Sequence, residues 1–212
     1  MNEKLSGRLC SPFLLFVLLA ALAILPAPAA ESPKTVRLLT IGNSFARNAA
    51  RYLIPLAEAA GHRVILGSAN CSSCSLEKHW KNLEAFQANN STGRIYPKNS
   101  PSGPKRALPE YFEGKSWDYV SIQQASTLSP KVATYRPYAE GLCQFIKEHS
   151  PGAKIIIMET WAYRFDDPRF KKEGSSREMH QAVRKAYREI AGELDLSIVP
   201  VGEAFAIAGE RP

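Results

Sequence analysis

Val36-Arg37-Leu38-Leu39-Thr40-Ile41-Gly42-Asn43-Ser44-Phe45 is an apolar run that stops at Gly-Asn-Ser and gives way at once to an amphipathic stretch from Ala46 to Ala60. The change of pattern predicts a strand over Val36–Ile41 and a helix over Phe45–Ala60. Ser44 then stands at the carboxyl end of a strand and the amino end of a helix. Its hydroxyl is exposed there, and the helix dipole favours negative charge beside it. Two roles are open at such a position. Ser44 is either a nucleophile or an N-cap that satisfies a free backbone N–H of the first turn.

Outward from this junction, strands and helices alternate. Gly61 ends the first helix as a C′ glycine does. Arg63–Gly67 reads as the second strand and Leu76–Ala88 as a helix. Residues 89–108 have the composition of a surface insertion, with Pro97, Pro101 and Pro104 excluding a regular helix. Beyond it come a strand at Tyr119–Gln123, a helix at Tyr135–His149 and a strong strand at Lys154–Glu159. An aromatic loop from Trp161 to Phe170 leads into a long charged helix, Ser175–Leu194, and a fifth strand, Leu196–Val201. Apolar strands without a polar face predict a parallel sheet covered on both sides. With right-handed crossovers this is an α/β fold, a three-layer α/β/α sandwich on a flavodoxin-like five-stranded sheet. Such sheets bind ligands at the carboxyl ends of their strands. Four loops therefore converge: Gly42-Asn43-Ser44, Gly67 with the Ser/Cys turn, Gln123-Gln124-Ala125-Ser126, and Glu159-Thr160-Trp161.

The first 29 residues read as an address. Lys4 and Arg8 precede the apolar run Phe13 to Ile24, and Ala27-Pro28-Ala29 supplies small residues for cleavage. This pattern predicts a signal peptide at 1–29, a single domain over 30–212, and export to the periplasm or the extracellular space. The run is short for a membrane span, so no stable insertion is expected after cleavage. Removing the segment lowers the formal net charge from +7 to +6. Much of the excess lies in Arg94, Lys98, Lys105 and Arg106, with Lys171, Lys172, Arg184, Lys185 and Arg188 on later segments. Such charge suits an anionic partner, or it simply solvates the surface. No aromatic-basic groove motif supports nucleic acid. Cys71-Ser72-Ser73-Cys74 permits a disulfide in an oxidising compartment. Zinc would require further ligands that the spacing does not offer, so neither metal nor cofactor is expected. Cys143 fits a buried small hydrophobe.

The chain resembles the SGNH (GDSL-like) hydrolases, in a divergent branch whose first motif reads Ile-Gly-Asn-Ser-Phe. The likeness rests on Thr40-Ile41-Gly42-Asn43-Ser44-Phe45 and Cys74-Ser75-Leu76-Glu77-Lys78-His79-Trp80. It extends through Trp117-Asp118-Tyr119-Val120-Ser121-Ile122-Gln123-Gln124-Ala125-Ser126 and Glu159-Thr160-Trp161-Ala162-Tyr163. The resemblance implies that Ser44 attacks an ester carbonyl and that its backbone N–H helps hold the oxyanion. The family's second donor is a glycine N–H, a place taken here by Ser73 or Cys74. The third is an asparagine amide, replaced here by Gln123 or Gln124, with Gln124 preferred. Either glutamine can instead satisfy backbone groups at the strand end. Asn43, His79, Trp80, Glu159 and Trp161 are the candidate substrate contacts, and Trp80, Trp161, Tyr163 and Phe165 can form an acyl or sugar wall or pack in the core.

The family's catalytic base is a histidine in an Asp-x-x-His motif after the last strand. Here Val199-Pro200-Val201-Gly202-Glu203-Ala204-Phe205 resembles the approach to that motif, and no Asp-x-x-His follows. The histidines are His62, His79, His149 and His180, of which His79 alone stands near a predicted site loop. Two readings follow. The sequence is a piece of a longer serine esterase acting on acyl or acetyl esters of carbohydrates, or it is a noncatalytic binding protein that keeps the pocket. A thiol-redox role for Cys71 and Cys74 is the third and most remote.

Overall fold

The structure, a computed structural model, describes residues 32–98, 103–164, 166–168 and 175–209. The signal-peptide reading of residues 1–29 and the aromatic-wall reading of Phe165 lie outside these residues.

Strand β1 (Thr35–Gly42) is followed by two short helices, α1 (Ser44–Ala49) and α2 (Leu53–Ala59), and then by β2 (Arg63–Asn70) and α3 (Leu76–Ala88). A two-stranded antiparallel ribbon, β3 (Tyr96–Pro97) with β4 (Lys105–Arg106), comes next. The chain continues through β5 (Tyr119–Ile122), α4 (Tyr138–His149), β6 (Lys154–Met158), α5 (Ser176–Leu194), β7 (Ser197–Val199) and α6 (Val201–Gly209). The main sheet has the order β2–β1–β5–β6–β7 with every pair parallel. This is the expected flavodoxin-like order, and β1 lies inside it with a neighbour on each side. Helices α3 and α4 pack together, as do α5 and α6. Among the described residues no helix is long and apolar enough to cross a membrane.

The strands are apolar because both faces are covered. Leu39, Ile41, Val120, Ile122 and Ile157 are fully buried, and each contributes about 1.5–3 kcal/mol of transfer free energy. From the helices, Leu83, Leu142, Ile146 and Val183 close on them. Helix α5 opens with a capping box: the Ser175 hydroxyl accepts the Glu178 N–H while the Glu178 carboxylate accepts the Ser175 N–H.

Three expectations need correction. The helix expected over Phe45–Ala60 is two helices broken between Ala49 and Leu53. Pro55 has no N–H to offer Arg51 and its ring crowds that carbonyl, so the chain passes through tight turns, with Arg51 N–H bonded to Asn48 O and Leu53 N–H to Ala50 O. The helix expected from Tyr135 begins at Tyr138, because Pro137 occupies its N-cap and Val132–Tyr135 forms a separate 3-10 turn. Residues 89–108 are more than a surface insertion, since Tyr96, Ala107 and Leu108 are buried in the core. Tyr96 lies edge-on to Tyr111 and donates or accepts a 2.7 Å bond with His79 Nδ1.

Candidate active site

Ser44 is exposed at the first residue of α1, and Asn43 before it is the N-cap. The Asn43 side chain accepts the Phe45 N–H at 3.0 Å and an N–H of the Gln123 amide at 2.8 Å, and its own amide donates to Cys74 O at 2.9 Å. Capping therefore falls to Asn43, which leaves the Ser44 hydroxyl unspent: among the described residues it has no hydrogen-bond partner. Gly42 is required beneath this turn. A Cβ there would stand 2.8 Å from Gln123 Cγ and 2.9 Å from its Cδ, too close for either to remain.

The loop after β2 is fastened to the same turn. Cys71 donates its N–H to Gly42 O at 3.1 Å, and Cys71 and Cys74 are joined by a disulfide with their Cα atoms 5.5 Å apart. Between them Ser73 is exposed and holds φ at +53°, a left-handed conformation that turns the loop back on itself. The Cys74 N–H is engaged with Cys71 O at 3.4 Å. The two sulfurs and a ring nitrogen of His79 lie within 4.8 Å of one another, but a disulfide sulfur is not the thiolate a metal requires.

Across the groove from Ser44, Trp161 packs on Phe45 with centroids 4.2 Å apart and stacks on Phe205 at 4.3 Å. Ser44, Phe45, Arg47, Asn48, Arg51 and Trp161 line an open groove of about 470 Å³. The structure thus brings together Ser44, the Ser73 loop, the Gln123 end of β5 and Trp161. Arg47 and Arg51 are not among the expected site residues. The spacing of Arg47 from Ser44, three residues, puts both on one side of α1. Arg51 reaches the groove from the break after α1, which no helical spacing marks.

Other expected site residues are placed elsewhere. Gln124 is fully buried, its amide donates to Thr134 O at 2.9 Å and to the Thr134 hydroxyl at 3.2 Å, and its carbonyl oxygen accepts the N–H groups of Leu76 and Ala125. It clamps three segments and has no donor left for a substrate oxygen. Gln123 is nearly as buried, and its amide is held by Asn43. His79 is fully buried with its Nδ1 on the Tyr96 hydroxyl. Burial depresses its pKa to about 3, against a smaller opposing pull from the Gly42 carbonyl. It is a neutral core histidine, neither a substrate contact nor an accessible base. Trp80 is half-buried against Gly141 of α4, where a Cβ would come within 2.7 Å of its ring.

Glu159 is 2 % exposed beneath the start of α6. Burial raises its pKa, opposed by the nearby His180, and its Oε1 has no hydrogen-bond partner among the described residues. Gly202 leaves room for this carboxylate, since a Cβ would fall 2.4 Å from Glu159 Oε1. Glu159 accordingly lies against the start of α6 and is not part of the groove lining. Nor does any other histidine reach Ser44. His62 Nδ1 accepts the Lys34 N–H, His149 Nδ1 bonds Phe145 O, and His180 sits 3.7 Å from the Glu203 carboxylate.

A parallel sheet in this order, with an exposed serine at the end of β1 and the other strand-end loops gathered around it, defines the SGNH-type α/β/α hydrolase fold. Residues 37–208 match the family described as Domain of unknown function (DUF4886), and the chain belongs to that family. It is similar to the crystal structure of a DUF4886 family protein from Bacteroides uniformis ATCC 8492, with a TM-score of 0.69 and 29% identity over 81% of this chain and 69% of that one. A candidate SGNH hydrolase from Slackia heliotrinireducens shares the fold at a TM-score of 0.56 and 21% identity, covering 82% of this chain and 83% of its own. Among curated proteins, none matches the sequence.

Proposed function

We propose that the protein is an exported serine hydrolase that cleaves ester bonds through Ser44. The observation that carries this reading is the unspent Ser44 hydroxyl at the head of α1, in an open groove, with Asn43 doing the capping that would otherwise explain the serine. The Ser44 oxygen attacks the acyl carbon, the bond to the alcohol oxygen breaks, and the serine proton ends on the departing alcohol. Water then releases the acid and restores Ser44. The N–H groups of Ser44 and Ser73 are the oxyanion donors in this scheme, and a helix start favours the developing negative charge. Gln124 is removed from the donor set and Gln123 serves by fixing Asn43. Trp161 forms one wall for the acyl group or the alcohol.

A second reading has its own support: among the described residues no imidazole contacts Ser44. A serine without a base is a weak nucleophile, and the protein is then a binding module for the same ligands. Labelling with a fluorophosphonate probe separates the two. Labelling of the purified chain that disappears in Ser44→Ala supports the hydrolase; no labelling, with retained binding of the ligand, supports the module.

A further inference from the structure

Beside the Ser44 groove lies a larger cleft of about 790 Å³, bordered by β2, the Cys71 loop and the β3–β4 ribbon. Six cationic side chains line it, Arg47, Lys78, Lys98, Lys105, Arg106 and Lys115, and no carboxylate does. They come from α1, the first turn of α3, the ribbon and the loop before β5, so the fold assembles the charge from segments far apart in sequence. Outside the cleft some cations are paired, Arg136 with Glu189 and Glu193, Lys81 with Glu77 and Arg184 with Glu203. Others, such as Lys147, Lys185 and Arg188, have no ion pair among the described residues but lie scattered over helix surfaces rather than facing one concavity. None of the six has an ion-pair partner among the described residues. Glu110, which influences Arg106 from beyond contact distance, is occupied by Arg94 at 2.7 Å and by the Ala107 N–H at 2.7 Å.

Like charges within a Debye length of roughly 8–10 Å repel one another, and a concave wall of low dielectric concentrates their field. An anionic occupant relieves that repulsion. The volume exceeds what one small anion needs and falls within the range of about 300–1,000 Å³ that holds a whole organic ligand. Single-stranded nucleic acid would require open aromatic faces for its bases. The aromatics in this lining, Tyr111 and Trp117, are only 5 % and 6 % exposed and are bonded inward, to Ser68 O and to Tyr111 O respectively. What remains is a ligand that is read by its repeated charge.

Arg47 supplies the connection. It lines the cleft and also the Ser44 groove, three residues from the serine. We propose that the cleft binds an anionic polysaccharide, carboxylated or sulfated, and that the ester presented to Ser44 is carried on that chain. The second clause rests on the hydrolase reading above; the first does not.

The test is binding, measured with the Ser44→Ala chain so that turnover plays no part. Polygalacturonate and heparin are titrated alongside neutral dextran and single-stranded DNA, at low and high salt. The expected result is saturable binding of one or both polyanionic glycans, none of dextran, and weakening of tenfold or more in the triple variant Lys98→Glu/Lys105→Glu/Lys115→Glu, on the order of the loss seen when several phosphate-contacting cations are removed. A control of equal charge change on α4 and α5, Lys147→Glu/Lys185→Glu/Arg188→Glu, is expected to bind within about threefold of the parent, the small residue left by screened long-range charge. Binding of polygalacturonate shows that carboxylates suffice, and binding of heparin without polygalacturonate shows that sulfate is required. Equal losses in the two triple variants, equal binding of dextran, no binding of either glycan, or tighter binding of DNA through the same lysines each overturns the proposal. Fluorophosphonate labelling of Ser44 in the unmodified chain reads the hydrolase independently. Binding without labelling breaks only that reading, and labelling without binding breaks only the cleft.

Discussion

Beneath Ser44, the amides of Asn43, Gln123 and Gln124 are 2, 1 and 0 % exposed and spend their hydrogen bonds on the chain itself. Beside it, Arg47, Lys98 and Lys105 stand in water, and among the described residues none has a carboxylate partner. The buried amides hold three loops in register, and disturbing one leaves groups with no water to turn to. The cationic cleft contributes little to folding, because its exposed charges stay hydrated when the free chain folds. Stability and recognition are thus carried by neighbouring but separate sets of residues.

Replacing Asn43 is the sharpest way to break this division. Asn43→Ala strands the Phe45 N–H, the Gln123 amide and Cys74 O, and a loss of about 3–4 kcal/mol is expected from a cap and two buried partners together. Urea denaturation measures it, and a loss below about 1 kcal/mol would mean that the network is dispensable. Gln124→Leu comes next. It orphans the Leu76 and Ala125 N–H groups while keeping the volume, at an expected cost of about 2–3 kcal/mol, seen as a Tm lowered by about 4–12 °C.

Acid probes the same region through His79. Its folded pKa near 3 lies below the ordinary value, so the fold holds the neutral ring. Above roughly pH 6.5 both folded and unfolded chains leave it neutral, and its contribution is intact. As pH falls further, the unfolded chain gains a proton that the folded one refuses, and stability drains at up to about 1.4 kcal/mol per pH unit until about pH 3. His79→Gln should flatten the stability profile between pH 6 and 4; parallel profiles for the two proteins would sink the assignment. The smallest effect belongs to the cleft. Lys98→Ala and Lys105→Ala are each expected to shift stability by no more than about 0.5 kcal/mol, and a larger loss would show that these lysines are structural after all.

The parallel α/β alternation and the position of Ser44 were legible because both follow from local pattern: apolar runs alternating with amphipathic helices, and a Gly-Asn-Ser break between the first pair. Pro55 was equally visible and gives the helix break, but the amphipathic period over Ala46–Ala60 masked it. Gln124 was misjudged for a different reason. Its partners at Leu76 and Thr134 are 48 and 10 residues away, and nothing local distinguishes a clamp from an oxyanion donor. The burial of His79 was not legible because its partner, Tyr96, belongs to a segment whose prolines and polar residues read as surface. The cleft combines both failures. Four of its six cations lie in or near that segment or beside β5, but concavity is a property of how α1, α3 and the ribbon meet.

The stack of Phe45, Trp161 and Phe205 gives the groove an optical reporter of its own. The chain has three tryptophans; Trp117 is sealed in the core and Trp80 packs on α4, so Trp161 is the one that shares its surroundings with whatever enters beside Ser44. With Trp80 and Trp117 replaced by phenylalanine, emission from Trp161 would register occupancy directly. Ligands could then be screened by colour and intensity of light, with no need to know in advance which bond is cut.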